Sequence, residues 1–400
     1  MIQYGKQNIS ENDIQAVIDV LKSSHLTQGQ AIEKFEQDLT KTCQSQYARV
    51  FSNATSALHC ACLALDIQKN DSVWTSPISF VASANCALYC GAKIDFVDVD
   101  HLTGNICATA LTEKLIAAKK INKLPKVLIV VHLAGHCCDM EAIYKLSKAY
   151  GFSIVEDASH AIGGTYKGKL IGSCQYSDIT IFSFHPVKII TSGEGGAALT
   201  NSKSLATKLS LIRSHGVTQD PNLLTTKSEG PWYYQQILLG YNYRMTDIQA
   251  ALGASQLEKL DEFVSQRNKL ANRYHSLLRG SMFHPLTPYN DCLSAYHLYI
   301  VQNSYWCKND KLRIFTQMRE AGIQVHVHYI PIHLQPYYQN LGFKQGDFPN
   351  AERYYQESMT LPLHPALSEH QQNFIVKTLL ELSEPGNNKT VHKTNKVTKK

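Results

Sequence analysis

The feature that most constrains this chain of 400 residues is an alternation. From about residue 10 to 250, short apolar runs are separated by amphipathic stretches with helical spacing. Ala48–Phe51, Ser72–Thr75, Lys93–Val97, Val127–Val131, Phe152–Val155 and Ile179–Phe184 are too short for helices and rich in β-branched and aromatic residues. Most lead into a helical pattern, as Asn53 onward does with Ala57, Leu58, Cys60, Ala61 and Leu63. Strand–helix repetition of this length predicts an α/β fold with a mainly parallel sheet covered on both faces. An early helix is also expected, capped by Ser10-Glu11-Asn12, with Ile14, Val17, Ile18 and Leu21 on one face.

A second region begins near Thr246. It reads as one long helix from Gln249 towards Leu278, strands over Tyr296–Val301 and Ile323–Tyr329, and a last helix over Glu369–Leu382. The expected organisation is a large domain over 1–245, a smaller C-terminal α+β domain over 246–384, and a disordered lysine-rich tail over 385–400.

Composition narrows the function classes. The formal net charge is +6, but Lys389, Lys393, Lys396, Lys399 and Lys400 supply five of those charges within the tail. The body is therefore near neutral and offers no basic surface for nucleic acid. The longest unbroken aliphatic run, Val127–Val131, is far below the ~20 residues of a membrane-spanning helix. The first residues, Met1 to Lys6, lack the basic and apolar regions of a signal peptide, so a cytoplasmic protein is expected. The 11 cysteines are odd in number, two are adjacent (Cys137 and Cys138), and none form a C-x-x-C pair. Neither a disulfide framework nor a metal site is expected.

Two nucleotide motifs fail. No G-x-G-x-x-G follows a strand. Gly163–Leu170 matches most of a P-loop but ends in Leu170, where a hydroxyl must reach magnesium.

Ligands of such sheets sit beyond the carboxyl ends of the strands, and three ends carry chemistry. Ile154-Val155-Glu156-Asp157 ends in an acid. Ile179–Phe184 runs into His185-Pro186-Val187-Lys188, and a lysine desolvated past a buried strand is poised as a nucleophile. Thr191-Ser192-Gly193-Glu194-Gly195-Gly196 follows as a tight polar loop, and Ser52-Asn53-Ala54-Thr55-Ser56 opens a helix with hydroxyls and free N–H groups, a cradle for phosphate. An amine, an acid and a phosphate cradle are what pyridoxal phosphate requires.

Five segments occur in order: Asn53–His59, Glu156–Gly163, Phe182–Lys188, Gly193–Gly196 and Gly240–Met245. Together with Phe348–Glu352 and Leu361–Pro365, they resemble the DegT/DnrJ/EryC1/StrS sugar aminotransferases, fold type I pyridoxal phosphate enzymes, over about residues 8–382. The resemblance implies a seven-stranded sheet, with Lys188 as the Schiff-base lysine and Asp157 as the partner of the pyridinium nitrogen. It also implies Thr55, Ser56 and Ser183 on the cofactor phosphate, Phe80 stacked on the ring, and His160 beside it. Asn242 matches a residue given to the phosphate across a homodimer interface. His185, Arg244, His326 and His328 are the candidate substrate contacts. Glutamate and a UDP-linked ketosugar are the implied substrates. His185 next to the lysine resembles the 4-aminotransferases, and Lys188 sets the chain apart from the family's dehydratases, which carry histidine there. A different ketosugar, or a cofactor-binding regulator without turnover, stands as the alternative. Gln30 departs from the family pattern, where proline is usual.

Overall fold

The computed structural model describes residues 1–384; the tail expected to be disordered lies outside the described residues. The first helices are α1 (Glu11–Lys22) and α2 (Gln30–Cys43). Strand β1 (Tyr47–Phe51) follows, then α3 (Ala54–Ala64), β2 (Ser72–Thr75), α4 (Ala82–Tyr89), β3 (Lys93–Phe96), α5 (Ala108–Lys120), β4 (Val127–Val131), α6 (Met140–Tyr150) and β5 (Ser153–Asp157). A short hairpin, β6 (Thr165–Tyr166) and β7 (Lys169–Leu170), separates β5 from β8 (Ile179–Ser183), β9 (Gly196–Thr200) and α7 (Lys203–Arg213). The P-loop-like stretch is thus a hairpin with no helix after it.

The main sheet has seven strands in the order β1-β9-β8-β5-β4-β2-β3. Only β9 runs against its neighbours, pairing antiparallel with both β1 and β8. Six of these strands are the ones the apolar runs predict. The seventh, β9, was read as the end of a polar loop because its residues Gly196, Ala197 and Ala198 carry little hydrophobic signal. Alternate residues feed two cores: Leu128 and Val130 on one face, Val127 and Ile129 on the other. The central strands β4 and β8 are buried on both sides, which is why each reads as a continuous apolar run.

Helix α1 starts where expected, with a capping box between Ser10 and Asp13. Its apolar stripe, however, is not core: Ile14 and Leu21 are exposed. The helix is held by its one buried residue, Asp13, which pairs with Lys259 at 2.5 Å and accepts from Ser255 and Gln256. Burial pushes the Asp13 carboxyl up, but Lys259 and these hydrogen bonds outweigh it and hold the group at about 2.

The long helix expected after Thr246 is two helices, α8 (Asp247–Leu257) and α9 (Leu260–Leu277), broken at Glu258-Lys259. Ala250, Ala254, Leu257, Leu260, Phe263 and Val264 pack into the large core, while Ala271 and Tyr274 join a separate C-terminal core. We therefore propose that the domain boundary falls within α9. The remaining elements are short strands β10 (Val217–Thr218), β11 (Gln235–Gln236), β12 (His284–Pro285), β13 (Cys292–Leu293), β14 (Tyr299–Gln302) and β15 (Ser358–Leu361), with helices α10 (Lys308–Glu320), α11 (Pro336–Gln339), α12 (Pro349–Glu357) and α13 (Glu369–Ser383). Ile323–Tyr329, expected as a strand, forms none and carries only isolated bridges among the described residues, Ile323 to Ile2 and His326 to Thr360.

The Gly195-Gly196 pair has a steric cause. A Cβ on Gly196 would lie 2.5 Å from the backbone nitrogen of Ala54 and 2.6 Å from the carbonyl carbon of Asn53. The start of α3 is thus pressed directly on the start of β9, which sets it at the mouth of the sheet. Gly196→Ala is expected to lower stability by about 3 kcal/mol, since backbone must move to admit the methyl. Urea denaturation measures this, and a wild-type midpoint would refute the close approach.

Candidate active site

A cavity of about 550 Å³ opens beyond the carboxyl ends of β4, β5 and β8. The parallel register of β5 and β8 sets Asp157 level with Ile181, so the segment carrying Ser183, His185 and Lys188 leaves the sheet beside it. Asp157 is buried and points to the cavity, whereas its neighbour Glu156 faces the opposite core, as strand alternation requires. There Glu156 pairs with His132 at 2.8 Å. Burial works to raise the Glu156 carboxyl, but bonds from His132, Ser177 and Thr180 hold it lower overall.

Asp157 is fixed by three donors. Ser83 Oγ and Ser159 Oγ each approach to 2.6 Å, and the Ser159 N–H to 3.2 Å. Ser83 is itself bonded to Ser79 at 2.7 Å, which ties the start of α4 to the acid. Lys188 keeps part of its side chain open to the cavity. Burial lowers its ammonium to about 8, with the negative charge of Asp157 acting the other way. No side-chain hydrogen bond or ion pair among the described residues engages its Nζ, so the amine is available.

Asn53 caps α3, accepting from the Ser56 N–H at 2.8 Å, and Ala54 and Thr55 line the cavity at the first turn. First-turn N–H groups have no partner within a helix and carry the positive end of its dipole, a setting for an anion. Ser183, at the end of β8, faces the same space. Phe80 lies at the cavity wall and is 60 % exposed, not part of a core.

His160 sits opposite, buried, with its ring 4.4 Å from that of His297 and nearly parallel to that of Tyr329. The Ala134 N–H donates to His160 Nδ1 at 3.2 Å. Nδ1 therefore carries no proton, and Nε2, 3.2 Å from the Tyr329 hydroxyl, bears it. Burial, then the charge of Lys188, pushes His160 well below the usual histidine range. His328 is depressed for the same leading reason; it bonds Thr360 Oγ1 at 2.8 Å and stacks on His326 at 4.5 Å. Tyr4, from the opposite end of the chain, packs against both histidines.

The cavity thus brings together Thr55, Phe80, Asp157, His160, Ser183, His185, Lys188, His326 and His328. Three expected residues lie elsewhere. Ser56 is buried, its hydroxyl spent on the Asn53 carbonyl at 2.7 Å. Asn242 is exposed and bridges Ser214. Arg244 lines a separate cleft with Gln28, Arg49 and Arg213. Sequence reasoning missed Tyr4, Tyr329, Glu194, Ser83 and Ser159. Ser159 and Glu194 were inside quoted motifs and Tyr329 beside the histidine cluster, but Tyr4 and Ser83 are brought in only by tertiary packing.

An antiparallel β9 in an otherwise parallel seven-stranded sheet, with a lysine and an acid at adjoining strand ends, defines a fold type I pyridoxal phosphate transferase. The chain belongs to the DegT/DnrJ/EryC1/StrS aminotransferase family, whose profile matches residues 7–380. It is 36% identical over 389 residues to the UDP-4-amino-4,6-dideoxy-N-acetyl-beta-L-altrosamine transaminase of Campylobacter jejuni, covering 96% of this chain and 98% of that one. Among solved structures it resembles Helicobacter pylori PseC, an aminotransferase involved in the biosynthesis of pseudoaminic acid, with TM-score 0.86, 32% identity, and 95% and 98% of the two chains covered. The putative sugar aminotransferase Spr1654 of Streptococcus pneumoniae, in its PMP form, gives TM-score 0.87 at 29% identity, with 96% and 99% covered.

The bond from Ala134 makes a spectroscopic prediction. Nitrogen NMR of histidine-labelled protein is expected to show His160 neutral at pH 6, with the proton on Nε2. A His160 protonated at that pH would contradict the assignment.

Proposed function

We propose that this protein is a pyridoxal-phosphate-dependent aminotransferase that moves an amino group from glutamate to C4 of a UDP-linked 4-keto-6-deoxy-N-acetylhexosamine. The product would be UDP-4-amino-4,6-dideoxy-N-acetyl-β-L-altrosamine, a precursor for pseudaminic acid. The observation that carries the aminotransferase reading is the free amine of Lys188 beside the fixed carboxylate of Asp157, in a cavity floored by the start of α3. The C4 substrate rests on the similarity to the Campylobacter and Helicobacter enzymes and on His185 beside the lysine.

The donor set fits the cofactor. The α3 start at Ala54 and Thr55, with the Ser183 hydroxyl, would hold the phosphate; Asp157 would face the pyridinium nitrogen; Phe80 would cover the ring. When bound, pyridoxal phosphate supplies the electron sink that makes the donor's Cα–H acidic. The chain supplies the rest. With its pKa near 8, Lys188 Nζ is partly neutral close to physiological pH and can take and return a proton at the substrate carbon. His160, neutral with Nε2–H directed at Tyr329, is a hydrogen-bond donor on that side. Tyr4, His326 and His328 form the wall left for the sugar. The active unit on this reading is a homodimer in the cytoplasm, with the exposed Asn242 serving the phosphate of the partner's site.

Wild-type protein loaded with the cofactor is expected to be yellow, to bleach with glutamate, and to recover its band with the 4-keto substrate. Lys188→Ala should lose turnover by on the order of a thousandfold or more and form no lysine-bound chromophore. Recovery only with a 3-keto sugar, or with a bacillosamine or aminoarabinose precursor, would replace the proposed substrate. Uptake of cofactor without bleaching would favour a regulator. A second expectation follows from the lysine. Since its folded pKa is depressed to about 8, the neutral amine grows as pH rises. Capture of cofactor by the apoprotein should accelerate about tenfold per pH unit below 8 and level above it. Stopped-flow absorbance measures this, and a rise continuing to pH 10 would refute it.

A further inference from the structure

Cys137 and Cys292 stand 155 residues apart in sequence, yet their Sγ atoms are 2.8 Å apart. Neither belongs to the cavity lining, and their surroundings are unequal. Cys137 is fully buried, its thiol 3.3 Å from the Thr165 carbonyl. Cys292, on β13, is only partly buried, and the Cys137 backbone N–H lies 3.1 Å from its sulfur. Hydrogen bonds directed at a sulfur favour its thiolate. The bond from Cys137 accordingly lowers Cys292, against the effect of burial, while the same contact and burial raise Cys137. A partly buried, thiolate-prone sulfur against a fully buried resolving thiol is the arrangement of a redox pair.

Both residues lie on segments that hold His160. Cys137 is three residues beyond Ala134, whose N–H bonds His160. From Cys292 the chain runs to Ser294 and Ala295, which bond the Gly135 carbonyl at 3.0 and 3.2 Å, and then to His297, whose ring packs tilted against that of His160. The fit is close: a Cβ on Gly135 would lie 2.8 Å from the Tyr296 nitrogen.

We propose that Cys137 and Cys292 form a reversible thiol–disulfide site, oxidised by peroxide, that staples the segment after β13 to the loop holding His160. The Cys292 thiolate attacks hydrogen peroxide, giving the sulfenic acid and hydroxide. The Cys137 sulfur then displaces the hydroxyl, which leaves as water with the Cys137 proton. Two electrons pass from the thiols to the peroxide, and an external thiol reverses the change by exchange.

The test treats full-length protein with hydrogen peroxide, blocks remaining thiols with iodoacetamide, and maps unreduced peptides by mass spectrometry. A peptide pair joined through Cys137 and Cys292 is expected in most chains, reversed by dithiothreitol and absent in Cys292→Ser and Cys292→Ala. Hydrogen exchange at Ala134 and Leu298, whose amides belong to the two stapled segments, should slow in the oxidised wild type. Alkylation of both cysteines while the exposed Cys307 is oxidised would overturn the proposal. So would a bond from Cys292 to the adjacent Cys138.

Discussion

The pairing of β5 with β8 is the constraint on which the site depends. Because the two strands run parallel and in register, with Asp157 level with Ile181, whatever follows each strand must emerge at the same edge. Asp157 needs no loop to bring it there; it is the last residue of a strand buried on both faces. Lys188 follows β8 within five residues, and its backbone N–H bonds the His185 carbonyl, closing a turn that returns the lysine towards the acid. The antiparallel β9 then leads away, and its first residue, Gly196, lets the start of α3 press in from the other side. One set of strand ends thus brings an amine, a carboxylate and a helix terminus to the same edge of the sheet.

How much of this was legible in the sequence follows from which forces set each part. Strands buried on both faces write themselves as apolar runs, so six of seven were visible, and β9 was hidden because close packing demanded glycine and alanine where hydrophobic bulk would otherwise signal a strand. The motif residues Asp157, Ser183 and Lys188 were legible because they sit at ends of elements that periodicity defines. Ser56 was read as facing the ligand, yet it closes the helix cap, a role the same hydroxyl serves equally well. Helix α1 gave the opposite lesson. Its apolar stripe suggested a core face, but a buried ion pair between Asp13 and Lys259 anchors it and the stripe stays open. Nothing local in a sequence distinguishes these outcomes. Tyr4 and the bond from Ala134 to His160 depend on partners far along the chain, and only the fold reveals them.

The electrostatics of the cavity are set chiefly by burial. Lys188, His160, His297 and His328 all have their charged forms disfavoured by it, and each cation in the group would further disfavour the others. Against them stands Asp157, with three donors around its oxygens. The result is a set of groups whose charged forms burial disfavours, facing the fixed Asp157. That suits chemistry in which a proton is lifted from carbon and returned, since a permanently charged lysine could do neither.

If the substrate is the nucleotide sugar proposed, one chain alone lacks part of what it needs. Among the described residues lining the cavity there is one lysine, Lys188, and no arginine. A nucleotide diphosphate needs fixed positive charge, and a lysine committed to proton transfer cannot also provide it. Arg244, with Arg49 and Arg213, lies in a separate cleft of 360 Å³, and Asn242 is exposed nearby in sequence. Arg213 and Arg49 share the single carboxylate of Glu36, whereas Arg244 enters no ion pair among the described residues. On the proposed reading, a second copy that laid this region over the open cavity would add the missing charge and cover Phe80 together. On that reading one chain would supply Asp157, Lys188 and the start of α3 to the cofactor, and association would add Asn242 and the diphosphate contacts.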